Sequence, residues 1–66
     1  MSLYWDDAYE IARALIQAHP EHDPQEVRFA TLQRWVTELP DFADDPNGVS
    51  EARLEAIQMA WYEEVG

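Results

Sequence analysis

A chain of 66 residues with no cysteine has only side-chain packing to hold it together. No disulfide can staple it. A structural zinc site is not expected either, because His19 and His22 are its only strong nitrogen ligands. Folding at this length hides only about 60% of the unfolded surface. The core therefore has to come from a few large side chains in one domain spanning residues 1–66. Trp5, Trp35 and Trp61 are the obvious anchors, since each aromatic can bury roughly 150–250 Å².

The prolines divide the chain into three helices, so the expected class is mainly α. Asp7-Ala8-Tyr9-Glu10 is a helix start in the manner of a capping box, with Asp7 as cap and Glu10 reaching back. Ala8, Ile11, Ala12, Leu15 and Ala18 follow on one face, and Pro20 stops the helix. Asp23 and Pro24 form a second start, as cap and first helical residue, expected to give a single turn. Val27-Arg28-Phe29 reads as a short extended stretch. A second helix resumes near Ala30 or Thr31 with an apolar stripe of Leu32, Trp35, Val36 and Leu39, and ends at Pro40. Residues 40–48 form a loop by their Pro, Asn and Gly content, with Phe42 plugging into the core. Ser50 caps a third helix whose buried face carries Leu54, Ile57, Trp61 and Val65. Its outer face carries Glu51, Glu55, Tyr62 and Glu63, beside a weakly apolar strip of Ala52, Ala56 and Met59.

Charge narrows the function. Fourteen Asp and Glu face four Arg and no Lys, a net charge of −10. Such a surface repels polyanionic nucleic acid and anionic membranes. It suits a basic patch on another protein, or a hard cation; solubility alone is the bland reading. No segment is long and apolar enough to span a bilayer, and the first residues lack the basic start and apolar stretch of a signal peptide. A cytoplasmic monomer is the expectation.

No catalytic set is expected. There is no cysteine nucleophile, and Ser2 and Ser50 have terminal and capping explanations. His19 and His22 flank a helix end, where the negative dipole favours histidine; a weak His/carboxylate metal site is the alternative. Asp41, Asp44 and Asp45, with Glu38 nearby, concentrate carboxylates in the loop. Carboxylate oxygens suit Mg²⁺, Ca²⁺ or ferric iron. The ordered ligand series of an EF-hand is missing, so any site there would be open, hydrated and weak. Asp6, Asp7 and Glu10 form a similar cluster, partly explained by capping.

Several pieces in fixed order carry a resemblance: Trp5-x-Asp7-x-x-Glu10-Ile11, His19-Pro20, Asp23-Pro24-x-x-Val27-Arg28-Phe29, Leu32-x-x-Trp35, Asp44-Asp45-Pro46, and the run from Leu54 to Trp61. Together they resemble the IscX family of small iron–sulfur cluster assembly proteins over essentially the whole chain. The resemblance implies a compact helical fold that is a modified winged helix. It implies an acidic adaptor that binds a cysteine desulfurase, sharing an Arg-rich site there with a frataxin-like protein. It also implies weak binding of ferrous or ferric iron by surface carboxylates, and no bound cluster. Carried onto this chain, Asp7, Glu10, Asp41, Asp44 and Asp45 are the candidates for iron. Asp41, Asp44, Asp45, Glu51, Glu55, Glu63 and Glu64 are the candidates for the partner. Neutralising Asp44 and Asp45 together is expected to weaken partner binding and leave the fold intact. Ala43 stands where the family usually has another loop Asp, which argues against a tight site; Ala30, Val49-Ser50 and Ala52 are further departures. The alternative function is an acidic interaction module of another class, such as a nucleic-acid mimic.

Overall fold

The computed structural model describes residues 2–65. It contains α1 (Ala8–Ala18), a single 3₁₀ turn (Pro24–Glu26), α2 (Phe29–Thr37) and α3 (Glu51–Val65). The architecture is mainly α, with α1 against α3 as its largest interface. None of the described helices is long and apolar enough to cross a membrane.

The α1 face follows from helical spacing: Ile11, Ala12 and Leu15 are buried. Ala18, expected on that face, is exposed. The start of α1 differs from the expected capping box. Asp7 is the N-cap residue, yet its side chain caps nothing; its Oδ2 accepts the Tyr4 N–H at 3.0 Å. That tight turn captures the carboxylate before the helix can. The second start signal behaves as read. Asp23 Oδ1 accepts from the Gln25 N–H at 2.9 Å, and Pro24 opens a single turn.

Val27 and Arg28 have extended backbone, but Phe29 already begins α2, so the extended stretch is one residue shorter than expected. Leu32, Val36 and Leu39 are buried. Trp35 is half-buried and packs at the edge of the core beside Trp61, so it anchors less deeply than Trp5 and Trp61. The helix ends at Thr37, whose Oγ1 donates to the Arg34 carbonyl at 2.8 Å, three residues before Pro40. Ser50 Oγ accepts from the Arg53 N–H at 3.3 Å at the start of α3. Leu54, Ile57 and Trp61 line the inner face of α3. Val65 is 53% exposed, because the last turn of α3 extends past the core.

The N-terminal segment closes the domain. Leu3 pairs with Phe42 in an isolated parallel bridge, through Leu3 N–H to Asp41 O at 2.8 Å and Ala43 N–H to Leu3 O at 2.9 Å. That bridge is the only β pairing among the described residues, which contain no β-hairpin of the kind that forms the wing of a winged helix. Trp5 and Trp61 are buried, and the described core contains no buried polar or charged residue.

Candidate functional site

The acidic loop is folded around one carboxylate. Asp44 Oδ2 accepts the Trp5 N–H at 3.0 Å, and Oδ1 accepts the Asp45 N–H at 2.7 Å. The Trp5 indole Nε1–H donates to the Asp45 carbonyl at 2.6 Å. The Trp5 ring meets Phe42 edge-on, with centroids 4.9 Å apart, so Phe42 is the expected plug. Asp45 Oδ1 accepts the Asn47 N–H at 3.0 Å, and the Gln33 side chain donates to the Pro46 carbonyl at 2.8 Å. A Cβ at Gly48 would sit 3.1 Å from Asp45 Cβ, so glycine lets the turn close. The two backbone N–H bonds hold the Asp44 carboxyl below its ordinary range, helped by the nearby Arg53 charge and opposed by partial burial. Asp44 and Asp45 are therefore structural before they are anything else.

The other candidate acids are dispersed. Glu10 and Asp41 line one open groove, together with the cation Arg13. Asp44 lines another with Tyr4, Asp6 and Arg53. Asp7 is engaged with the Tyr4 backbone. Glu51, Glu55 and Glu63 are exposed along α3. Glu64 is exposed too; as an acceptor and a negative charge near the Tyr9 hydroxyl, it raises the Tyr9 pKa. No three His, Cys, Asp or Glu side chains converge as a metal-ligand group among the described residues. The donor chemistry suits iron, but the geometry does not assemble the five expected ligands.

His19 and His22, for which the sequence offers a helix end or a weak His/carboxylate metal site, join Trp35 in an aromatic cluster. The His19 imidazole stacks on the Trp35 indole at 3.8 Å and 10° between planes. His22 approaches the same indole at 4.8 Å and 61°. Trp35 thus packs against the core beside Trp61, at 6.3 Å between ring centroids, and also stacks on His19. Residues 16 apart meet here, and no local spacing signals it. Burial, and then the neighbouring His22, lower the His19 pKa; Glu38 opposes them. A lowered pKa means the unfolded chain binds the His19 proton more tightly. Neutral His19 thus contributes its full stability above its ordinary value of 6.5 and loses it as pH falls from there toward the folded value. Urea melts at pH 5 and pH 7.5 should show a stability gain with rising pH, and His19→Phe, which keeps a stacked ring, should reduce that gain. An unchanged gain in the variant excludes His19 as its source.

Fold and surface together define a small acidic helical domain without thiols, whose exposed carboxylates are dispersed rather than gathered at a metal centre. Such a domain cannot hold a cluster by thiolates or supply sulfur. A family model described as iron–sulphur cluster assembly matches residues 3–66. The chain belongs to that family, as the resemblance to IscX implies. An uncharacterized protein of Pseudomonas aeruginosa is similar to it, 56% identical over 64 residues that make up 97% of each chain.

Proposed function

We propose that this chain is an accessory adaptor of iron–sulfur cluster assembly that docks through its acidic surface on a basic patch of a cysteine desulfurase. Family membership supplies the process. The observation that carries the docking is a net charge of −10 whose exposed members include Asp41, Glu51, Glu55 and Glu63. Asp44 and Asp45 shape the loop and add to the field, and a frataxin-like protein competes for the same basic patch. Iron is cargo in this reading, held by one or two carboxylates and water, at Glu10 with Asp41 or beside Asp7 and the loop. The cytoplasm is the compartment where the desulfurase would be met.

Charge-driven docking is fast and screened by salt, because the Debye length at 0.1 M is about 10 Å. The desulfurase dissociation constant should rise by about tenfold or more from low to moderate salt, chiefly through the association rate. Biolayer interferometry across a salt series measures both. Asp41→Asn with Glu55→Gln should weaken binding at low salt and flatten the salt slope. A dissociation constant indifferent to salt overturns the electrostatic reading.

A further inference from the structure

α3 is apolar on two faces. Its inner face, Leu54, Ile57 and Trp61, is consumed by the core. On its outer side Met59 is 57% and Tyr62 50% exposed. They do not stand alone on a convex surface. With Gln25, Gln58 and Glu63 they line a groove of about 400 Å³ between the 3₁₀ turn and α3. The groove wall is fixed. Gln58 Nε2 donates to the Pro24 carbonyl at 2.7 Å and to the Val27 carbonyl at 3.3 Å, pinning the turn to the helix. Thioether and phenol are the adaptable and amphipathic side chains that suit a contact surface.

We propose that this groove is a docking surface for a basic protein segment that inserts one apolar anchor side chain between Met59 and Tyr62. Charge complementarity selects the occupant. Glu63 lines the groove, Glu26 follows Gln25 in the turn, and Glu55 lies one helical turn before Met59; all three are exposed. A second copy of this chain would bring another −10 and is repelled. Nucleic acid is repelled for the same reason. A basic segment is attracted by the acids and retained by burial of its anchor. The groove takes one anchor only, so the contact is weak and reversible on its own. The inference deepens the docking reading, since acids of α3 serve both.

The test uses the full chain and a short arginine-rich helical peptide with a single central leucine, beside the same peptide with serine in that place. Burying one leucine should make the first bind about tenfold tighter. In NMR titrations it should shift the Met59 methyl and the Tyr62 ring, and its advantage should survive salt that abolishes binding of the serine peptide. Met59→Ser and Tyr62→Ser, both at exposed positions, should erase the advantage while circular dichroism stays native. Equal affinity of the two peptides, binding of neither, or an advantage kept in both variants overturns the groove. Salt-sensitive desulfurase binding, measured in parallel, separates the readings: its persistence beside a failed peptide test removes the groove alone, and its absence beside a successful one removes only the desulfurase.

Discussion

Trp61→Ala should leave the domain unfolded, or nearly so, at room temperature. Trp61 is 1% exposed and belongs to the core that joins α3 to the rest of the chain. Removing a buried tryptophan costs about 3–5 kcal/mol in lost transfer energy and residual cavity. A single core in a chain under about 70 residues rarely supplies more than 3–5 kcal/mol of net stability. The two quantities match, and no disulfide is present to hold a weakened fold. Far-ultraviolet circular dichroism of the variant at 25 °C should lose most of the helical signal. Tyr62→Ala, one residue along and half exposed, should stay within about 0.5 kcal/mol of the parent. A cooperative, native-like melt for Trp61→Ala would mean the core does not depend on that side chain.

Asp44→Asn should destabilise the domain even though it removes only one charge from a crowded acidic surface. Simple repulsion predicts relief. The geometry predicts a loss, because both carboxylate oxygens accept backbone N–H groups, from Trp5 and from Asp45. An amide offers one oxygen and turns its NH₂ toward the other donor. Leaving a donor unpaired costs stability, and the exposure of Asp44 lets water moderate the loss. The variant should therefore melt below the parent. The acid limb should change as well. A carboxyl held below its ordinary value contributes stability that is complete above the unfolded value of 3.8 and is lost as pH falls through the lower folded value. That component should vanish from the pH profile of Asp44→Asn. Asp41→Asn is the control, since Asp41 is exposed and meets Leu3 through its backbone carbonyl. An Asp44→Asn melt equal to the parent overturns the structural role. The double neutralisation of Asp44 and Asp45 is therefore not a clean probe of partner binding; Asp41, Glu55 and Glu63 are better choices.

Local signals were legible where one short stretch settles the outcome. Asp23-Pro24 and Ser50 act as caps because their bonds span two or three residues. Leu32 and Val36, like Leu54, Ile57 and Trp61, fall inward because helical spacing fixes which face they share. The departures share a different cause. Asp7 matched a capping box, but an equally local competitor, the Tyr4 N–H, took its carboxylate. Trp35 has the spacing for the core and packs at its edge, but its stack with His19 on another element is not visible in that spacing. Asp44 read as a free loop acid because its partner Trp5 lies 39 residues earlier. The acidic character of the candidate surface was legible from composition alone. Which acids are committed to the fold was not, since that depends on what approaches from the far end of the chain.

The tie between Trp5 and the acidic loop joins positions 39 and 40 residues apart. Contacts over such separations are built from little local structure, and segments of this kind open at free energies below that of global unfolding. Deuterium exchange at the Trp5 amide should therefore report undocking of the loop while the amides within α1 and α3 remain protected. A protein that grips the loop acids would slow exchange at Trp5 without touching it. The first residues of the chain would then register, as a change in local opening, what happens on a surface encoded forty residues later.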